Sequence, residues 1–385
     1  MLTGTPTLRG ALVVLIAGTV CRGAHGAQWS VQPALEWQMD YDSNRRLAPS
    51  GESPNEGGLL SFDTAFKRAT ESTAMTLHPS IGLQRFAGDS ALDANTGAIQ
   101  WDFTCQRERT SLLVSTAYRR ESTLTTELAD TGIVDSSTRR DSIQASVEIT
   151  RELAERQHLD LTASWSDVRY PDGLPFRLVG YRYPQIVAEY RFGLSERTTL
   201  SATAYADRVS APLTGYTSDD AGIRFGASRE LSMRISLYAA VGINRTAIGT
   251  QKSHGQVWHL QASRDSVLSR WTLSYDRSVQ PSGYGILLRR DDIAVSLSQS
   301  VAPRLFATFT LHAVSNNSPV SGGFVDDRRY LTGDAGLEWH MSPQWVLHFT
   351  AGASEARSPN AELTARGWRT ALNARWSPLD WNISR

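Results

Sequence analysis

The feature that most constrains this chain is an alternation of apolar and polar side chains that recurs along nearly its whole length. In Ser266–Asp292, Trp271, Leu273 and Tyr275 alternate with Thr272, Ser274 and Asp276. Ile235, Leu237, Ala239, Val241 and Ile243 repeat the pattern most cleanly. A period of two is the signature of a strand with one apolar and one polar face. The alternating stretches run to about 10–13 residues, which suits a tilted membrane crossing, whereas strands of globular proteins average about 5–6. No apolar run of about 18–20 residues occurs, so a bundle of membrane helices is excluded. The 41% hydrophobic content and mean hydropathy of −0.31 do not argue against a membrane location. Alternation keeps the average polar while one whole surface is greasy.

The punctuation between strands is equally informative. Short polar turns fall near residues 68–72, 107–110, 152–156, 195–197, 230–232, 266–269, 301–304 and 342–344. Between them lie long polar loops, among them Asp42–Gly58, Ser122–Thr138, Tyr170–Arg182 and Asn316–Asp327. Outer-membrane barrels show this asymmetry, with short periplasmic turns and long extracellular loops. The eight hairpins account for 16 strands, and the first and last strands bring the count to 18, with 16 as the alternative count. An even number puts both termini in the periplasm, and Gly283, in a long loop, on the opposite side. Lipid cannot satisfy open sheet edges, so the sheet must close. A soluble sandwich would need a second sheet over the apolar faces, and no fixed-length repeat of the solenoid kind is present. The predicted fold is all-β, a transmembrane up-and-down antiparallel barrel over residues 27–385. Pro79 falls within an alternating stretch and removes a ladder donor, so a bulge or local break is expected there.

Residues 1–26 read as a secretory signal peptide. Arg9 supplies the basic region, Ala11–Val20 the short apolar core, and Ala24-His25-Gly26 a small-x-small cleavage site. The predicted location is the cell outer membrane. Cleavage would leave Cys105 as the only cysteine, so no intramolecular disulfide is expected in the mature chain.

The polar face is expected to be the inside of the barrel. Its candidate lumen-lining residues are Asp102, Glu148, Asp160, Glu189, Arg191, Arg224, Arg234, Asp276, Asp292, Asp334, Glu338, Arg369 and Arg375. Both signs are mixed, and no single-sign stripe announces a charged substrate. Trp29, Tyr118, Trp165, Trp271, Trp339, Trp345 and Trp376 stand near strand ends on the apolar parity, where membrane-interface girdles sit. The histidines are scattered. His254 and His259 are close, but a five-residue step puts them on opposite faces, so neither a metal site nor a cofactor is expected. Asp219 or Asp220 with His254 is the one rim dyad that can be drawn, and no catalytic motif rises above background. Arginine pairs at 45/46, 139/140, 289/290 and 328/329 near the long loops suit lipopolysaccharide phosphate as a partner. Nucleic acid is not an expected partner.

Two segments carry a resemblance. YDSNRRL at Tyr41–Leu47 follows the first strand, and STLTTELADTG at Ser122–Gly132 fills a loop. With the hairpin rhythm, they resemble Gram-negative outer-membrane β-barrel proteins associated with exopolysaccharide synthesis and export loci. The resemblance implies a role in surface polysaccharide secretion or envelope assembly, with polysaccharide or export proteins as partners. Three functions follow as expectations. The first is a channel or scaffold for exopolysaccharide or small polar solutes. The second is a non-conducting assembly barrel that binds partners through its loops. The third is a rim enzyme, the least favoured.

Overall fold

The structure, a computed structural model, describes residues 27–49, 54–130, 137–172, 178–320, 327–358, 363–379 and 381–384. The expected signal peptide lies outside them. Strands β1 (Gln28–Asp42), β2 (Asn55–Ala69), β3 (Thr73–Ala87), β4 (Ala94–Arg107), β5 (Thr110–Ser122), β6 (Arg139–Ala154), β7 (Gln157–Arg169), β8 (Tyr181–Ser195) and β9 (Thr198–Ala211) form the first half. The second half comprises β10 (Tyr216–Ser232), β11 (Ile235–Ile248), β12 (Gln251–Asp265), β13 (Ser269–Pro281), β14 (Leu287–Ala302), β15 (Leu305–Asn317), β16 (Arg328–His340), β17 (Trp345–Ser358) and β18 (Leu363–Trp376). Each strand pairs antiparallel with its neighbours in sequence. The ring closes at β1, where Leu35 stands opposite Phe62 of β2 on one side and Trp376 of β18 on the other. A four-residue β19 (Trp381–Ser384) continues the last strand along Gln28–Val31. The architecture is therefore a closed 18-stranded barrel, as the hairpin rhythm predicts.

Directly opposed residues on neighbouring strands share a face of the sheet, so one face can be followed round the ring. Leu35 leads to Phe62, and Phe62 to Ile81. Further round, Ile223 opposes Ile243 and Leu297 opposes Phe309, and the path returns through Trp376. The large side chains on this face are exposed, with Ile186 at 65% and Ile243 at 63%. A continuous belt of this kind is not stable in water and marks a surface made for lipid. The opposite parity holds the crowded polar positions Thr203, Asp207, Asn244 and Thr246, all buried, and faces the lumen.

The short turns are closed by small polar residues. Ser266 Oγ donates to the Ser269 carbonyl at 2.8 Å and accepts from the Ser269 N–H at 3.1 Å. Thr70 and Thr73 make the same exchange. Register shifts occur at Glu152/Ala154, Gly193/Ser195, Glu230/Ser232 and Ser300/Ala302, all next to short turns, where an extra residue tightens the bend. At Pro79 the outcome is a local break without a bulge. Pairing with β2 lapses between Ser80–Asp63 and Leu77–Phe66 while the register is kept. Gln28 is in register with Ala69 beside a short turn, so the N terminus and Gly283 lie at opposite ends of the barrel. Cys105 is buried; Cys21 lies outside the described residues.

Candidate functional site

The long-loop end of the lumen is narrowed by segments folded inward from distant strands. After β5 the chain forms a short helix, α1 (Thr123–Asp130). Thr123 anchors its start, exchanging bonds with Thr138 across the loop at 2.9 and 3.0 Å. Glu127 on α1 is buried, and accepts a 2.5 Å hydrogen bond from the Tyr170 phenol just beyond β7. Arg140 at the start of β6 lies 3.5 Å from the same carboxylate and 3.2 Å from Glu121. Burial, reinforced by the Glu127 charge, pushes the Tyr170 phenol well above the ordinary tyrosine range.

The tip of the β13–β14 hairpin completes this closure. Gly285 adopts a left-handed φ of 73° and donates to the Ser282 carbonyl at 2.9 Å, turning the chain sharply. The Gly283 carbonyl accepts from Val179 N–H at 2.8 Å. A Cβ at Gly283 would stand 2.8 Å from Glu127 Oε2 and 2.9 Å from Leu178, so both side-chain ends would have to shift to admit it. Val279, Tyr284 and Leu287 pack with Val168, Tyr181 and Val209 from β7–β9. Strand order separates β13 from β9 by three intervening strands. The contact is therefore made across the mouth, not along the sheet.

The segment Tyr41–Leu47 turns inward on the other side. Ser43 N–H donates to the Trp368 carbonyl at 3.0 Å, and Asn44 Nδ2 to the Arg366 carbonyl at 3.0 Å. Leu47, with φ of 45°, is buried on Tyr330, Ala365 and Ala356 from the inner faces of β16–β18. Arg45 pairs with Asp40 and stacks 4.4 Å over the Phe86 ring. Burial and the Arg369 charge lower its guanidinium to about 10. Of the two segments singled out in the sequence, Ser43–Leu47 and Thr123–Asp130 enter the mouth, whereas Tyr41 stays on the outer face, its ring 4.8 Å from that of Trp368.

Below the mouth, the inner wall carries mixed-sign pairs. Arg191 clamps Asp160 with two bonds of 2.7 and 2.8 Å. Arg369 does the same to Asp334 at 2.9 and 2.6 Å. Asp292 is held by Arg290 at 2.7 Å and His312 at 2.9 Å, and Asp276 by His259 at 3.0 Å. Asp102 accepts from Ser115 at 2.6 Å, Glu189 from Thr203 at 3.4 Å, and Glu338 pairs with His340 at 2.6 Å. Arg224 lies 5.6 Å over the Tyr205 ring, and Arg375 stands 3.8 Å from Glu36. Glu148 shares this parity opposite Leu113 and Thr162.

Arg234 corrects the expected set. It lies in the tight turn between β10 and β11 and is exposed at the rim, because the bulge at Glu230/Ser232 ends the alternation before it. The histidines are the residues sequence reasoning underused. His78, His158, His259, His312, His340 and His348 all fall on the lumen parity, which counting along each strand would have shown. The rim dyad is not assembled. Asp220 faces inward, bonded to Thr246 at 2.6 Å, whereas His254 faces outward opposite Arg245. Asp219 shares the outer face but pairs with Arg208.

The seven interface aromatics all lie on the outer parity. Trp29, Trp271, Trp339, Trp345 and Trp376 mark the short-turn end, with the Trp345 and Trp376 rings 6.4 Å apart. Tyr118 and Trp165 mark the long-loop end. Between mouth and wall a cavity of about 410 Å³ is lined by Gln144, Tyr183, Asp207, Arg224, Val279 and Gln280, among others.

The same closed-barrel fold is found in bacterial outer-membrane proteins of known structure. OpdK of Pseudomonas aeruginosa, solved with vanillate, superposes with a TM-score of 0.50 at 13% identity, over 91% of this chain and 99% of that one. OccK5 (OpdH) of the same organism gives 0.49 at 11%, over 91% and 98%, and OccAB2 of Acinetobacter baumannii also 0.49 at 11%, over 91% and 98%. No family model and no curated protein matches the chain. The shared feature is the fold, and the likenesses lend no support to an exopolysaccharide association.

Proposed function

We propose that this protein is an outer-membrane channel for small polar solutes, with passage controlled at the mouth by its inward-folded segments. The observation that carries this reading is a closed 18-stranded wall whose inner face carries mixed-sign ion pairs, with a cavity beneath the mouth. Eighteen strands enclose an aqueous interior that side chains alone do not fill. Each lumen pair joins both signs, so a permeating solute meets both donors and acceptors. OpdK, which shares the fold, was solved with vanillate, a small carboxylate. The narrowed mouth favours small solutes over a polysaccharide chain. Planar-bilayer recording of the purified chain tests the reading. Discrete conductance steps are expected, and their absence from folded protein would overturn it. The bond network across the mouth favours a second reading, a barrel closed at rest, which would show long silent periods relieved by loosening that network.

A further inference from the structure

A continuous charged patch lies on the outer face where β5–β8 reach the long-loop end. Register places Arg120 opposite Asp141 and Asp141 opposite Arg169. One rung lower, toward the belt, Asp167 stands opposite Ile143 and Arg182. Asp141 is gripped by Arg120 at 3.2 Å and by Arg139 at 2.9 Å. Asp167 is gripped by Arg169 at 2.8 Å and by Arg182 at 3.5 Å. The two carboxylates lie underneath, 17% and 8% exposed, while the four guanidiniums are 45–62% exposed. Four cations over two anions leave a net charge of +2 on the patch.

A guanidinium bound to a carboxylate along one edge keeps further N–H donors for a second anion, and phosphate fits that planar fork. Directly below the patch the same face carries Tyr118 and Trp165, the girdle at this end, and then the apolar belt. A ligand matching both levels has phosphate above and acyl chains below. The sequence pair Arg139–Arg140 is divided by the strand period. Arg140 turns into the mouth, toward Glu121 and Glu127, and Arg139 turns out toward the membrane. The two-to-one arrangement recurs on β17–β18, where Arg357 and Arg366 share Glu355.

We infer that this outer patch binds the phosphorylated head group of a lipid A-type glycolipid of the outer leaflet, with its acyl chains along the belt beneath. The inference rests on the outer-membrane placement with long loops outward. The test uses the full chain folded in detergent, titrated with bisphosphorylated lipid A or its dephosphorylated counterpart. The double variant Arg139→Ala/Arg182→Ala leaves each carboxylate one arginine. It should bind lipid A about tenfold more weakly, with Arg139→Lys/Arg182→Lys intermediate and bilayer conductance unchanged. Equal affinity of wild-type protein for the phosphorylated and dephosphorylated lipids would overturn the inference whether or not the variants fold. So would binding abolished by EDTA, which would mean a divalent cation bridging the carboxylates. Conductance in the same preparation reports separately on the channel reading.

Discussion

The Tyr170 phenol donates a 2.5 Å hydrogen bond to the Glu127 carboxylate and so ties the helix after β5 to the loop after β7. The bond lies within the inward closure that the β13–β14 tip reaches across the mouth. A hydrogen bond to a buried charge contributes roughly 1.5–3 kcal/mol. Tyr170→Phe should therefore loosen the closure while leaving the barrel wall intact. Single-channel recording should show larger or noisier openings, and traces identical to wild type would mean the bond does not hold the mouth.

The same phenol gives the closure a pH dependence. Its folded-state value is raised by burial and by Glu127, whereas an exposed tyrosine titrates near pH ~10. The stabilisation is therefore fully present below about pH 10 and is lost as the pH rises above that through the folded value. Ultraviolet titration of wild type against Tyr170→Phe should reveal one phenol that stays protonated at about pH 11. A difference spectrum showing an ordinary tyrosine would contradict the burial.

Gly283→Ala adds a single methyl group that Glu127 Oε2 and the Leu178 side chain must shift to admit. Overpacking of this kind costs about 1–3 kcal/mol. The cost falls on the docking of the hairpin tip, so conductance should rise although the denaturation midpoint of the barrel barely moves. Proteolytic susceptibility of the 282–286 turn should rise in parallel, and a resistant turn would argue against displacement.

Asp160→Asn would free Arg191 of its bidentate partner and make the lumen more positive by one charge. The reversal potential under a salt gradient should move toward anion permeability, and the shift should shrink at high salt as screening shortens. No movement would place this pair away from the path of the ions.

On the outer belt, Ile243→Arg sets a charge against acyl chains and should cost about 2–4 kcal/mol near the midplane. Ser236→Ala, on the wetted face of the same strand, should stay within about 0.5 kcal/mol. Denaturant unfolding from lipid vesicles compares the two, and equal effects would mean that the faces are assigned the wrong way round.

Much of this molecule was legible in its alternation. Lipid on one side and water on the other force a period of two, so Trp271, Leu273 and Tyr275 could be separated from Thr272, Ser274 and Asp276 before any strand was paired. The same parity puts twelve of the thirteen candidate charges on one face of the sheet. Arg234 is not among them, because parity was carried past the last paired residue into a turn. What parity cannot tell is which residues meet across the barrel. Val279 and Val168 lie far apart in sequence and on strands that never pair. They join one apolar cluster only because the sheet curves and brings separated strands within reach of a bent hairpin.

Tyr41–Leu47 and Ser122–Gly132 stood out as sequence, yet nothing local marked Ser43–Leu47 or the helix Thr123–Asp130 as turning inward. The outer arginine patch was hidden for a related reason, since Arg120, Arg139, Arg169 and Arg182 come from four strands and become neighbours only in register. The sequence by itself determined the wall, its two faces and its direction, because these depend on local alternation and on turn length. The tertiary structure alone decided the mouth and the patch, because these depend on contacts that barrel closure creates between distant segments.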